Sequence, residues 1–183
     1  MGNQDHWELS GTKSLREFRT LSVQERTYLH RPTGQEKQYA VCDSADWVFV
    51  IPIRHDQQVV FIHQFRHGLG EVVLEIPGGV MDPGETPEQT AIRELREETG
   101  YVPGSLEIVG PLIPNPGLNT ARYYVAVARD CEPEHEPSPE PFEEIEIELR
   151  PLDTVAGMIR SGELQHALCI AAFASSGIVL QES

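Results

Sequence analysis

The sequence predicts an α+β fold, a mixed α/β arrangement in which strands dominate. Two observations support this class. Up to about residue 80 the apolar residues alternate or form short runs bounded by Gly, Pro and Asp, as strands do. A helical period is found only in one central segment and again near the C-terminus. The 183 residues are enough for one domain with a small addition.

The first part of the chain is predicted to form a β-hairpin. Residues 18–29 are rich in Thr, Val, Tyr and Leu, residues 32–34 (Pro-Thr-Gly) have turn chemistry, and an extended pattern resumes at residues 38–42. An isolated hairpin is marginally stable. We therefore expect residues 1–45 to be an extension and residues 46–183 to be the main domain.

The main domain is predicted to be built from a series of strands followed by two short helices. Residues 47–53 are almost continuously apolar, as in a strand buried on both faces. Further strands are expected at residues 59–65, 72–76, 106–109, 123–127 and 145–149, and helices at about 153–160 and 163–174.

An acidic stretch separates the last two of these strands. Residues 132–144 contain six Glu and four Pro in thirteen positions. Such a composition buries little apolar area, so we expect a mobile loop. Phe142 is predicted to anchor its C-terminal end against the core.

One central helix has clear start and stop signals. Thr86, Pro87 and Gln89 form a capping-box pattern with proline at the first helical position, and Gly100 follows the last helical residue. The helix is therefore predicted to run from Pro87 to about Thr99.

Three glutamates of this helix share one face. At about 100° per residue, Glu97 and Glu98 flank Glu94. Each like-charge pair at this spacing costs about 0.2–0.5 kcal/mol, a cost that a bound cation removes. Carboxylate oxygens suit Mg²⁺ or Mn²⁺ rather than zinc. For three glutamates alone, a solvated acidic face is the competing interpretation.

The overall charge limits the classes of partner. The chain has 14 basic and 29 acidic residues and a formal net charge of −15. Such a surface repels nucleic acids and anionic membranes, but a small phosphorylated ligand can still bind through a divalent cation. Three scattered cysteines indicate neither a disulfide framework nor a structural zinc site. With no apolar leader and no long apolar run, a cytoplasmic protein is expected.

A longer motif surrounds the three glutamates. It reads Gly79-x5-Glu85-x7-Arg93-Glu94-Leu95-x-Glu97-Glu98-x-Gly100-Tyr101. This pattern resembles the signature box of the Nudix hydrolases. The resemblance implies an α/β/α sandwich and divalent-cation-dependent cleavage of a nucleoside diphosphate linked to another moiety.

The same resemblance implies roles for individual residues. Glu94 and Glu98 would be metal ligands, and Glu97 would be a ligand or would activate water. The carbonyl of Gly78 would add a ligand. The remaining charged pair of the box, Glu85 and Arg93, would tie the loop to the helix.

The sequence around the box indicates a branch of the family. Residues 64–66 (Gln-Phe-Arg) and 75–79 (Glu-Ile-Pro-Gly-Gly) are similar to ADP-ribose pyrophosphatases and related nucleoside diphosphate sugar hydrolases. This resemblance implies hydrolysis of a nucleotide sugar, of the ADP-ribose or GDP-mannose class, to a nucleoside monophosphate and a sugar 1-phosphate. It also implies a homodimer with residues 18–42 in the interface.

Substrate contacts and the general base follow from the resemblance less directly. Arg66 would contact the diphosphate, although a surface arginine is an equal alternative. Arg122 would be a weaker candidate for a substrate contact, because it also suits a strand edge, and Trp47 suits either base stacking or the core. The base would come from the acidic loop, with Glu143 preferred and its neighbours in that loop, Glu140 and Glu144, as alternatives.

Other functions remain open from the sequence. Within enzymes the alternative is a hydrolase of dinucleoside polyphosphates or modified nucleoside triphosphates. Outside enzymes it is a nucleotide-sugar sensor without turnover, which the complete box disfavours. The nucleobase and the sugar are not determined by the sequence.

Overall fold

A computed structural model describes residues 3–178 and divides the chain into two units. The first unit comprises residues up to 45 together with residues 113–122. Its main feature is an antiparallel sheet of three strands: β1 (Trp7–Glu17), β2 (Leu21–His30) and β3 (Gln35–Ser44). The predicted hairpin corresponds to β2 and β3, and β1 is a third strand that the sequence analysis did not anticipate.

The second unit contains a mixed sheet of seven strands and a separate two-stranded pair. In chain order its strands are β4 (Trp47–Ile53), β5 (Gln58–Arg66), β6 (Glu71–Glu75), β7 (Gly78–Val80), β8 (Tyr101–Val102), β9 (Ser105–Leu112), β10 (Tyr123–Arg129), β11 (Glu132–Pro133) and β12 (Ile145–Pro151). The sheet order is β12-β5-β4-β10-β9, with β6 also paired to β5 and β7 to β4, while β8 pairs with β11. The β4–β10 pair is parallel.

Helices cover both faces of the seven-stranded sheet. They are α1 (Pro87–Thr99), α2 (Val155–Ser161) and α3 (Ala167–Ser175). Alternate residues of β4 face opposite ways. Val48 and Val50 pack in one core cluster with Leu95 of α1, whereas Phe49 and Ile51 pack in another that also includes residues of α2 and α3. This arrangement of helix, sheet and helix confirms the predicted α+β sandwich.

The predicted strands and helices are found within a few residues of the expected positions. Helix α1 has the expected bounds, its Thr86 hydroxyl accepts from the Gln89 N–H, and Gly100 adopts the left-handed conformation at its end. In the described residues, no helix is long and apolar enough to cross a membrane.

The acidic stretch differs from its prediction in two ways. It begins with strand β11, and its backbone is bonded to the end of α1: the Ser138 N–H donates to the Glu97 carbonyl at 2.7 Å. The prediction for Phe142 is wrong, because its side chain is 97% exposed and its backbone φ is +75°. The C-terminal end of the loop therefore has no apolar anchor at this residue.

Candidate active site

The start of α1 is stabilised by a fully bonded carboxylate. Glu85 accepts hydrogen bonds from Arg93 Nε and Nη2, both at 2.9 Å, and from the Thr90 hydroxyl at 2.7 Å. These contacts lower the pKa of Glu85 to about 2, the Arg93 bonds most strongly. The ion pair expected from the sequence is therefore present, and it fixes the loop before the helix.

The other half of α1 brings the three predicted glutamates together. The Arg93 Nη1 donates to Glu94 at 2.7 Å and to Glu97 at 3.3 Å. Glu98 is only 2% exposed, and burial raises its pKa to about 8, with a further contribution from the charge of Glu94. Burial also raises the pKa of Glu94. A cation bound here would stabilise the ionised forms.

Two glycines of β7 let this strand lie against the glutamates. The Gly78 N–H donates to Glu98 Oε2 at 2.9 Å. A Cβ on Gly79 would overlap the Glu94 carboxylate, and a Cβ on Gly78 would overlap the Val48 carbonyl of β4. The close approach of β7 to β4 therefore depends on Gly78, whereas Gly79 leaves room for the Glu94 carboxylate.

An arginine and a buried glutamate lie beside this cluster. Arg66, at the end of β5, donates from Nε to Glu75 Oε1 at 2.7 Å and from Nη2 to Glu75 Oε2 at 2.6 Å. Burial raises the pKa of Glu98, and the positive charge of Arg66 offsets a small part of that rise. Glu75 was not among the predicted site residues. Its position at the end of an apolar strand, where an acidic residue is uncommon, is the sequence signal that could have identified it.

The acidic loop places one glutamate near the cluster. The charge of Glu143 contributes to the raised pKa of both Glu94 and Glu98. Its carboxylate accepts from the Glu140 N–H at 3.1 Å, while its own N–H donates to the Glu140 carbonyl at 3.0 Å. The role of Glu143 as general base stays a prediction.

The two remaining predicted contacts have different surroundings. Trp47, at the start of β4, is half-buried against the core and stacks on Tyr123 with ring centroids 6.4 Å apart. Arg122 belongs to the other unit, where its side chain is exposed. Their roles in substrate binding stay predictions.

The donor set fits a divalent oxygen-preferring cation. Glu94, Glu97 and Glu98 offer carboxylate oxygens on one helix, beside the backbone of Gly78. Two of the three carboxylates are held with pKa values raised by burial, which an ion of charge +2 offsets. The residues present therefore suit Mg²⁺ or Mn²⁺.

The acidic face of α1 beside the glycines of β7, within a sandwich of helix, sheet and helix, agrees with the arrangement that the sequence motif implies. The family profile of the NUDIX domain matches residues 44–173. The chain belongs to the Nudix hydrolase family.

Comparisons with individual proteins agree with this membership. The chain is 29% identical to the ADP-sugar pyrophosphatase of Mus musculus over 92% of this chain and 85% of that protein. It is 31% identical to the ADP-ribose pyrophosphatase of Bacillus subtilis over 54% of each chain. A crystal structure of an ADP compounds hydrolase superposes with a TM-score of 0.79 at 22% identity, covering 93% of this chain and 91% of that one, which supports the fold.

Proposed function

We propose that this protein hydrolyses the pyrophosphate bond of a nucleoside diphosphate sugar, with ADP-ribose or another ADP-sugar as the first substrate to test. The cluster of Glu94, Glu97 and Glu98 beside Gly78 carries the proposal. The similarity to an ADP-sugar pyrophosphatase over 92% of the chain supports the substrate class.

The reaction uses water as the nucleophile. Water attacks one phosphorus, the P–O–P bond breaks, and the products are a nucleoside monophosphate and a sugar phosphate. Bound Mg²⁺ or Mn²⁺ supplies Lewis acidity toward the phosphoryl oxygens. Glu94, Glu97 and Glu98, with the carbonyl of Gly78, are the groups that would hold it. Arg66 neutralises charge on the diphosphate.

The metal requirement and the substrate class are tested together. Purified protein is assayed for hydrolysis of a panel of nucleoside diphosphate sugars, dinucleoside polyphosphates and modified nucleoside triphosphates, and the products are identified. We expect AMP from ADP-sugars, loss of activity with EDTA, and recovery with Mg²⁺ or Mn²⁺. Activity confined to the polyphosphates or triphosphates would contradict the substrate class, and activity unaffected by EDTA would contradict the metal site.

Glu143 is proposed as the general base. The carboxylates of α1 are committed to the cation, whereas Glu143 lies on a separate segment within electrostatic reach of them. Removal of a general base typically lowers kcat by about 10² or more. We expect Glu143→Gln to lower kcat by this factor with little change in KM. The variant Glu134→Gln, in the same loop, should have a kcat close to that of the wild-type protein.

The alternatives for the base are separated by the same assay. If Glu143→Gln is active while Glu140→Gln or Glu144→Gln is inactive, the base lies elsewhere in the loop. If all three retain wild-type kcat, the loop does not supply the base and Glu97 becomes the candidate.

The protein is further proposed to act as a cytoplasmic homodimer. Its three cysteines are free, and the charge of −15 disfavours nucleic acid as a partner. Several large apolar side chains of the N-terminal unit are exposed, namely Trp7, Leu9, Leu15 and Phe18. Light scattering at micromolar concentration should report a dimer, and a monomer there would contradict the assembly.

A further inference from the structure

Three groups with metal-ligand chemistry lie together behind the candidate active site. Ligand atoms of Glu75, His166 and Cys169 are all within 4.8 Å of one another. Their bonding does not suit a metal. Both oxygens of Glu75 accept hydrogen bonds from Arg66, so neither is available as a metal ligand. His166 Nδ1 accepts from the Cys169 N–H at 3.3 Å, which leaves the proton of a neutral ring on Nε2.

The bonding of Glu75 instead serves Arg66. The carboxylate and the guanidinium meet in a two-point arrangement, with Nε and Nη2 each donating to a different oxygen. Glu75 is 0% exposed, whereas the Arg66 side chain is 39% exposed. A buried carboxylate therefore holds one edge of the guanidinium in a fixed plane.

The other edge of Arg66 remains for a ligand. A guanidinium has five N–H donors, and Nε together with one N–H of Nη2 is engaged by Glu75. Only Ile76 and Pro77 separate Glu75 from Gly78, whose N–H donates to Glu98 Oε2 at 2.9 Å, so the Arg66–Glu75 pair is close along the chain to the predicted metal-binding carboxylates. The Arg66 side chain is 39% exposed, so its second edge is accessible to an anion from solvent.

We propose that Glu75 is a positioning residue for the diphosphate: its buried carboxylate fixes Arg66 so that the free edge of the guanidinium is presented to the substrate. This inference rests on the proposed function. An arginine side chain loses considerable rotamer freedom when it binds an anion. With Glu75 in place this ordering occurs on folding, and substrate binding does not bear its cost.

The central test is the isosteric substitution Glu75→Gln. A glutamine accepts one of the two bonds and turns N–H groups toward the second donor, so Arg66 loses its fixed plane. We expect KM for ADP-ribose to rise about tenfold or more, with kcat changed much less, because the arginine binds substrate and transition state alike. Glu71→Gln, an exposed glutamate of the same strand, is the matched control and should leave KM unchanged.

A double-mutant cycle separates positioning from a purely structural role. If Glu75 acts through Arg66, Glu75→Gln should raise KM in the wild-type background and have no further effect on KM in an Arg66→Met background. A structural role would add its effect in both backgrounds and would lower the active fraction, seen as reduced kcat and a lower Tm. Equal KM effects in both backgrounds would overturn the proposal.

A second variant covers the case in which Glu75→Gln does not fold. Glu75→Asp keeps the buried charge but withdraws the carboxylate by one methylene, so it should raise KM in the same direction. An unchanged KM in folded Glu75→Asp would then overturn the inference. If the wild-type protein hydrolyses no nucleoside diphosphate sugar with Mg²⁺, the proposed function fails; if it does and both Glu75 variants keep KM, only this inference fails.

Discussion

Two glutamates, one just before helix α1 and one near its end, have opposite electrostatic surroundings. Just before the helix, Glu85 is paired with Arg93 and its pKa is lowered to about 2. Near its end, Glu98 is buried with one backbone N–H as its hydrogen-bond donor in the described structure, and its pKa is raised to about 8. A satisfied carboxylate stabilises the fold, whereas a carboxylate held where its charge is unfavourable indicates a binding function.

The largest expected effect comes from neutralising each carboxylate in turn. Glu98→Gln removes a principal electrostatic group and should lower kcat by about 10² or more, while Tm in EDTA stays unchanged or rises because the buried group can no longer ionise. Glu85→Gln should instead lower stability by about 1–3 kcal/mol, because it disrupts several charged hydrogen bonds. Turnover assays with saturating Mg²⁺ and thermal denaturation measure both. Near-normal turnover of Glu98→Gln would contradict the assignment.

Substitutions of the adjacent glycines of β7 test the same difference between a functional and a structural role. In Gly79→Ala the new methyl group meets the end of the flexible Glu94 side chain, which can move aside, so activity should fall about tenfold with little change in Tm. In Gly78→Ala it meets the backbone of Val48, which cannot, so stability should fall by about 1–3 kcal/mol. Equal Tm losses in the two variants would show that Gly79 is also structural.

The smallest expected effect is the pH dependence of stability without divalent ions. The pKa of Glu98 is about 8 in the folded protein against an ordinary value near 4.5, so the folded state binds the proton more tightly. Its stabilising contribution is complete below the ordinary value and is lost as pH rises through about 8. Glu85 has the opposite sign, because its contribution is present above 4.5 and is lost as pH falls toward 2.

Thermal denaturation in EDTA between pH 5 and 9 measures the Glu98 contribution. We expect Tm to fall across this range in the wild-type protein, and to fall less in Glu98→Gln or with Mg²⁺ present. Parallel curves for the wild-type protein and Glu98→Gln would show that this carboxyl does not titrate in the range.

Elements with local signals were predictable from the sequence. Helix α1 has its cap, its proline and its terminal glycine within the sequence itself, and its bounds were predicted correctly. The short strands β7, β8 and β11 were missed, because two or three residues have no measurable period and pair only through the tertiary fold. Phe142 was expected to anchor the acidic loop against the core, but its side chain is 97% exposed among the described residues.

In the candidate site, the contacts that depend on local sequence were predictable and those that depend on the tertiary fold were not. Helical spacing alone brought Glu94, Glu97 and Glu98 together. The contact of Arg66 with Glu75 depends on the pairing register of β5 and β6 across the turn at residues 67–70, which the sequence does not determine. The role of Glu75 as a partner of Arg66 could therefore be recognised only from the three-dimensional structure.

The N-terminal unit is built from two separate segments of the chain, which limits where the chain can be truncated. Residues 113–122 leave and rejoin the main domain between β9 and β10, yet they are bonded to β3: the Cys42 N–H donates to the Leu118 carbonyl at 2.7 Å, and the Thr120 N–H to the Cys42 carbonyl at 3.1 Å. A truncation at residue 45 would strip this segment of its backbone partners. The two units are therefore not consecutive along the chain, and exchanging one of them between relatives requires three junctions, after residues 45, 112 and 122.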